Sequence, residues 1–394
     1  MTIVLVGGGS GGHITPLLAV AQELKALHPQ AQLVYIGQRK DKLGDIPSHD
    51  PNIHAAYNVR AGKFRRYHGQ GFIRQLCDVP TMAKNIRDAW WTFVGLLQSH
   101  HLLKRLQPDI IFIKGGFVGV PVGLAAAWLH IPYITHDSDA VPGLANRIIA
   151  RWAMVHAVGL SKETYDYPLP KTFSVGVPVQ ANFCQVDATL QAKYRHELEL
   201  DDSKKVIFVT GGGQGAQRLN NMIIACTPQL LKRYGDLVIV LVAGRQHEQL
   251  VRRQYESQLS SSDQERVIVK GYIEDLYRYS GAADVIIARA GATNIAEFAI
   301  QAKACILVPN PDLTRGHQLK NADLLRQTQA VEVVADEDTE ALEATTVKLL
   351  DSESLRTILG QNLHKLAHPT AAKELAELLL QQLKQGSSNQ RQNV

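Results

Sequence analysis

Ile3-Val4-Leu5-Val6-Gly7-Gly8-Gly9-Ser10-Gly11-Gly12-His13 opens the chain with an apolar run that passes directly into a glycine-rich turn. The same grammar returns later as Val206-Ile207-Phe208-Val209-Thr210-Gly211-Gly212-Gly213-Gln214-Gly215-Ala216. In each stretch a buried strand runs into small residues and then a helix, an arrangement that aims backbone N–H groups and a helix N-terminus at an anion. Two such turns predict two nucleotide-fold halves facing one another across a cleft.

Length and composition agree with two halves. A chain of 394 residues is longer than one ordinary core supports. At 45% hydrophobic and 20% charged residues it has ample core material. The net charge of +5 favours anionic partners such as nucleotides, phosphorylated lipids or a membrane surface. Nucleic acid is not indicated, because no long basic run is interleaved with aromatics. Cys77, Cys184, Cys226 and Cys305 are spaced for neither a metal knuckle nor a disulfide framework, and they are expected to be buried free thiols of a reducing cytosol. The first strand begins at Thr2, and no uninterrupted apolar stretch is long enough to cross a bilayer. The expectation is a cytoplasmic protein whose contact with the membrane is peripheral.

Strand-like runs alternate with helical patterns, which predicts α/β layers with mostly parallel sheets. In the first half the strands are Thr2–Val6, Leu33–Ile36, Ile110–Ile113, Tyr133–Thr135 and Met154–Val158, with helices such as Pro16–Leu27 and Val118–His130 between them. A second series follows at Val206–Thr210, Leu237–Val242, Val267–Val269, Val285–Ala288 and Ile306–Val308. Ser174-Val175-Gly176-Val177-Pro178 is the expected hinge. The pattern after Asp351 is helical to about residue 384, and the polar tail from Gly386 is expected to be disordered. The chain reads as two Rossmann-like domains, 1–175 and 176–364, with a terminal helix at about 365–384 and a loose tail at 386–394.

Gly7, Gly9 and Gly12 satisfy G-x-G-x-x-G, so a dinucleotide site must be weighed. Such a site wants an acidic residue at the end of the second strand, but that strand ends in Gly37-Gln38-Arg39-Lys40, which leaves only an NADP enzyme in play. The second half favours a sugar nucleotide. There Val285–Ala288 leads through Arg289-Ala290-Gly291 into Ala292-Thr293-Asn294-Ile295-Ala296-Glu297. A helix N-terminus can hold a diphosphate, while a glutamate a turn later accepts hydrogen bonds from the two ribose hydroxyls. After the next strand, His317, Gln318 and Asn321 offer donors and acceptors suited to sugar hydroxyls.

Taken together, Gly7–His13 with Pro16, Gly115-Gly116-Phe117-Val118-Gly119-Val120-Pro121, His136–Asn146, Gly211–Ala216, Arg289–Glu297 and His317-Gln318-Leu319-Lys320-Asn321-Ala322 resemble the MurG family of peptidoglycan glycosyltransferases over nearly the whole chain. The resemblance implies the GT-B fold and an inverting transfer of N-acetylglucosamine from UDP-N-acetylglucosamine to a lipid-linked diphosphate acceptor, lipid I. It implies that the C-terminal domain holds the donor. Tyr272 and Ile273 would then border the uracil, Glu297 would hold the ribose, and Gly213, Gln214, Gly215, Ala216, Arg289, Gly291, Ala292 and Thr293 would face the diphosphate. His317, Gln318 and Asn321 would contact the sugar. The N-terminal domain would hold the acceptor at Gly9, His13, Gly116, Phe117, His136, Asp139 and Asn146, with Ser10, Gly11 and Gly12 reaching the donor as well. His13 is the first candidate for the base that takes the acceptor proton, with an orienting role as the alternative. Helix dipoles stand in for a protein-bound metal, no tightly bound cofactor is expected, and a requirement for Mg2+ in turnover stays open.

The chain also departs from the family. The acceptor motif His-Glu-Gln-Asn reads His136-Asp137-Ser138-Asp139 here, which exchanges an amide for the carboxylate of Asp139 and leaves the acceptor's identity open. Asp137 or Asp139 is a further candidate for assisting proton removal. Gly213 stands where a serine is common, and Gln180 near a common arginine. Two alternatives remain, a related transferase with another lipid acceptor and a non-catalytic nucleotide-sugar binding protein. Lys63, Phe64, Arg65, Arg66, Tyr67, Phe72, Ile73, Leu76, Trp90, Trp91, Phe93, Leu96 and Leu97 combine aromatics, aliphatics and cations in the manner of a surface that docks on the anionic inner face of the cell membrane.

Overall fold

The computed structural model describes residues 1–41, 43–63, 79–213, 215–312 and 316–392, and gives no side-chain surroundings for 79–83 and 386–392. It divides into two compact units, Met1–Gln180 with His368–Val394, and Ala181–Ala367.

The first unit is built on seven strands, β1 (Thr2–Val6), β2 (Gln32–Gln38), β3 (Ala55–Val59), β4 (Ile110–Ile113), β5 (Tyr133–Asp137), β6 (Val155–Val158) and β7 (Thr172–Ser174). They pair in the order β3-β2-β1-β4-β5-β6-β7, all parallel. The second unit holds β8 (Lys205–Thr210), β9 (Leu237–Val242), β10 (Val267–Lys270), β11 (Val285–Ala288), β12 (Cys305–Leu307) and β13 (Glu332–Val333), in the order β10-β9-β8-β11-β12-β13 and again parallel. Helices cover both faces, so the central strands read as unbroken apolar runs: every residue of β4, β9 and β11 is buried.

In both sheets the strand that ends in the glycine-rich turn is the one from which strand order runs in opposite directions. The chain goes from β1 to β2 and β3 on one side and resumes with β4 on the other, and β8 behaves alike with β9 and β11. Such a switch point opens a crevice at the carboxyl ends of the strands, where open α/β sheets bind ligands.

Three strands escape the sequence reading. β3, β7 and β13 are partly exposed sheet-edge strands without an apolar run. The expected hinge contributes buried Val175 and Val177 to the first unit, which continues to Gln180. The tail is also corrected: the last helix runs Ala371–Gln392, so the backbone stays helical where polar composition predicts disorder. Leu375, Ala376 and Leu379 of this helix pack with Leu17, Val20 and Leu24 of helix Gly11–Leu27 in one core. Cys226 and Cys305 are buried free thiols, Cys184 is exposed against expectation, and Cys77 lies outside the described residues.

Candidate active site

At the carboxyl end of β1 the helix begins at Gly11, not at Pro16, because two glycines accept the helical start and carry His13 into the first turn. Gly9 needs its left-handed φ of 82°, and a Cβ on Gly7 would meet the His13 carbonyl oxygen at 2.4 Å. Ser10 is the N-cap residue but makes no side-chain cap, so the first-turn N–H groups at Gly11 and Gly12 are left for a ligand or solvent. The Gly9 N–H is instead spent on Asp41, donating to Oδ2 at 2.5 Å. Asp41, just past β2, has no sequence signal of its own.

His13 is half-buried. Its Nδ1 lies 3.2 Å from the Gly8 carbonyl oxygen and 3.1 Å from Ser10 Oγ. A carbonyl can only accept, so Nδ1 carries the proton and Nε2 of the neutral ring keeps its lone pair. Burial, helped by Lys114, pushes the imidazole down to about 4, which keeps it neutral near pH 7. Ser10, expected near the donor, thus belongs to the setting of His13.

Beside it, the turn after β4 has positive φ at Gly115 and Gly116, and a Cβ on Gly116 would meet the Gly8 carbonyl oxygen at 2.5 Å. The two loops therefore touch through their backbones, with the Phe117 ring 3.7 Å from the Cβ position of Gly9. Asn146 is 2% exposed and donates from Nδ2 to the His136 carbonyl oxygen at 2.9 Å. His136 donates from Nε2 to the Gly176 carbonyl oxygen at 2.9 Å; fully buried, it supports the β5 edge.

The two aspartates part company here. Asp137 is buried and uses both oxygens: Oδ1 accepts from Gly143 N–H at 2.8 Å and Oδ2 from Tyr167 OH at 2.9 Å. Burial pushes its carboxyl above the usual range while those donors pull it back. It fastens the turn before helix Leu144–Ile149, which commits it to structure instead of proton transfer. Asp139 is half-buried two residues on, with its backbone carbonyl accepting from Tyr165 OH at 3.1 Å.

In the second unit, Gly215 approaches β9 so closely that a Cβ would lie 2.2 Å from the Ala243 carbonyl oxygen, and helix Gln217–Arg233 starts after Ala216 with no side-chain cap. Gly213 is exposed at the tip, and Gln214 lies outside the described residues. Across the switch point, Gly291 precedes helix Ala292–Ile300, also uncapped, with open space around its Cβ position. Thr293 and Glu297 are buried on this helix, and burial pushes the Glu297 carboxyl up to about 8. Gln318 accepts from Asn310 N–H at 2.9 Å and Asn321 donates to the Ala290 carbonyl oxygen at 3.1 Å. Helix His317–Gln327 is thereby tied to both loops, with His317 as its first residue.

Arg289, expected to face the diphosphate, is committed elsewhere. Its buried guanidinium donates to Asp336 Oδ1 at 2.7 Å and to the Val308 carbonyl oxygen at 3.0 Å. Arg218, unmarked in the sequence, sits at the second glycine-rich helix start but is met by Asp312, Asp336 and Glu337. Tyr272 carries the guanidinium of Arg245 over its ring at 4.5 Å, and Ile273 packs against the core. Arg245, just beyond β9, is a further residue the sequence did not mark.

Residues 3–157 match the glycosyltransferase family 28 N-terminal domain and residues 206–378 the family 28 C-terminal domain. The UDP-N-acetylglucosamine–N-acetylmuramyl-(pentapeptide) pyrophosphoryl-undecaprenol N-acetylglucosamine transferase of Natranaerobius thermophilus is 28% identical over 385 residues, covering 96% of this chain and 99% of that protein. The transferase of the same name from Bacillus cytotoxicus is 29% identical over 391 residues, covering 98% and 100%. Among solved structures, Acinetobacter baumannii MurG superposes with a TM-score of 0.66 at 22% identity, covering 96% of this chain and 99% of that one. UDP-GlcNAc 2-epimerase from Neisseria meningitidis, bound to UDP-GlcNAc, gives 0.69 at 16% identity, covering 97% and 100%. These structural likenesses establish the fold, two Rossmann-like units of the GT-B plan. With both family 28 domains in order and relatives matched along nearly their full length, the chain belongs to the MurG family of glycosyltransferases.

Proposed function

We propose that this protein transfers N-acetylglucosamine from UDP-N-acetylglucosamine to lipid I, forming lipid II, with inversion at the anomeric carbon. The observation that carries the donor half is Glu297, a buried carboxylate on helix Ala292–Ile300, whose uncapped N-terminus lies at the switch point of a parallel sheet. A diphosphate on the first-turn amides leaves the ribose hydroxyls to donate to Glu297. With Arg289 and Arg218 held by carboxylates, the leaving diphosphate relies on the amides of helices Gln217–Arg233 and Ala292–Ile300.

His13 supports the acceptor half. In the reaction the acceptor oxygen bonds to the anomeric carbon, the bond from that carbon to the UDP oxygen breaks with its electron pair leaving on UDP, and the hydroxyl proton passes to His13 Nε2. The Gly11 and Gly12 amides receive acceptor phosphate. The test is UDP release with and without a lipid I analogue: acceptor-dependent release with a product of the expected mass supports the reading, and donor binding without turnover defeats it. Because Asp139 replaces an amide, the same assay with a peptide-free lipid diphosphate tests a second reading, transfer to a different lipid acceptor.

The site would be served from a membrane surface. On helix Val79–Leu106, Ile86, Trp90, Phe93 and Leu97 are 66%, 60%, 49% and 49% exposed, a spacing that lines one helical face. Exposed Lys84 and Arg87 lie beside them. Such a stripe suits peripheral docking on the anionic inner leaflet. Trp91 is not part of it, since the Arg60 guanidinium covers its ring at 4.1 Å, and Lys63 stacks over Phe117 at 5.5 Å. Phe64, Arg65, Arg66, Tyr67, Phe72, Ile73 and Leu76 lie outside the described residues. Among the described residues no helix is long and apolar enough to cross a membrane.

A further inference from the structure

Lys114 acts on His13 through its charge and has no role in the proposed transfer. It is only 3% exposed, and among the described residues no ion pair holds its ammonium. Lysine is almost never buried to this degree without a partner, because an ammonium stripped of water strongly disfavours its charged form.

Its position accounts for the exception. Lys114 follows β4 directly, and its N–H donates to the Val6 carbonyl oxygen at 2.9 Å, which sets it beside the first glycine-rich turn. The register of β4 on β5, with Ile113 opposite Thr135, sets it beside His136 on the other side. It also introduces Gly115 and Gly116, whose Cβ positions lie 3.6 and 3.4 Å from the His13 ring. The ammonium thus enters the crevice where His13, His136, Asp137 and Asp139 meet, close enough for each to feel its charge. Asp137 has both oxygens occupied by Gly143 and Tyr167, so it offers Lys114 field but no contact.

We propose that Lys114 is an acceptor-binding residue: its ammonium receives a diphosphate oxygen of the lipid-linked acceptor. This rests on assigning the acceptor to the first unit. A buried ammonium that no ion pair holds among the described residues can take a ligand's anion, and the uncapped helix start at Gly11 and Gly12 provides the amides that share the same phosphate.

The experiment uses the full chain and farnesyl diphosphate as the probe, with binding followed by calorimetry. Lys114→Met should weaken farnesyl diphosphate at least tenfold while UDP affinity stays within twofold. Removing an uncompensated buried charge should also raise Tm by roughly 2–4 °C, whereas a lysine kept for packing would lower it. For the wild type, farnesyl diphosphate affinity should fall between pH 7 and pH 9, because burial pushes the ammonium down to about 8 and its charge is lost above that. The groups facing Lys114 are His13, His136, Asp137 and Asp139, and a flat profile for Lys114→Met separates the lysine from them. Should that variant fail to fold, the wild-type pH profile decides alone. Unchanged farnesyl diphosphate binding, an equal loss for UDP, or a flat wild-type profile overturns the assignment. Absence of acceptor-dependent turnover in the wild type would instead defeat the proposed reaction and leave this binding result standing.

Discussion

The two glycine-rich crevices share one topology and differ in what fills them. In the first unit the turn is crowded and charged: Asp41 holds the Gly9 amide, Gly116 lies against Gly8, and His13 and Lys114 are drawn out of water beside Asp139. In the second unit Gly211 and Gly215 pack as tightly against neighbouring backbone, but Gly212 and Gly291 face open space, and Glu297 is the one buried carboxylate on helix Ala292–Ile300. A nucleotide needs amides and one acceptor for its ribose, so turns left open at Gly212 and Gly291 suffice. Activating a hydroxyl needs a base of fixed tautomer, and fixing it requires neighbours that close around the ring.

The contrast breaks most decisively at His13. His13→Ala should lower kcat by about 10²- to 10⁴-fold with donor affinity unchanged, as expected for loss of a general base. Turnover within threefold of wild type would leave the crowded crevice without catalytic purpose. Because the imidazole is pushed down to about 4, wild-type kcat/KM should stay level from pH 7 to pH 5 and fall only as pH drops further and the ring takes a proton. A decline centred at pH 6.5 would contradict the burial argument.

Assayed at pH 9, where a carboxyl pushed up to about 8 is ionised, Glu297→Gln should raise the donor KM by roughly 10- to 100-fold, the worth of hydrogen bonds to a charged group, while leaving the acceptor KM alone. A matched rise in both constants would erase the division of labour between the crevices. Asp137→Ala should cost about 2 kcal/mol in denaturant unfolding, since Gly143 N–H and Tyr167 OH lose their acceptor. A cost below about 0.5 kcal/mol would mean that Asp137 is not the carboxylate that fastens this turn. The smallest effect concerns the membrane face: Trp90→Ser/Phe93→Ser/Leu97→Ser should reduce flotation with anionic liposomes several-fold and leave turnover of a water-soluble acceptor unchanged.

Much of the fold was legible because parallel strands buried on both faces must be apolar throughout. β1, β4, β8, β9 and β11 announce themselves in this way. The edge strands β3, β7 and β13 do not, since one side of each meets no partner strand and tolerates polar residues. Gly7–His13 and Gly291–Glu297 could be found along the chain because helix-start chemistry is local. Asp41, Lys114, Arg218 and Arg245 could not, because each draws its meaning from a loop distant in sequence.

From its order of residues alone this chain specifies two α/β units, their glycine-rich helix starts and the carboxylate at Glu297, because strand burial, turn conformation and helix capping depend on near neighbours. Tertiary structure alone decides which charged groups remain available. Arg289 is withdrawn into a pair with Asp336 and Asp137 into a cap for Gly143, while Lys114 is buried with no ion pair among the described residues. Burial and pairing depend on what the fold brings alongside, and no local pattern encodes them.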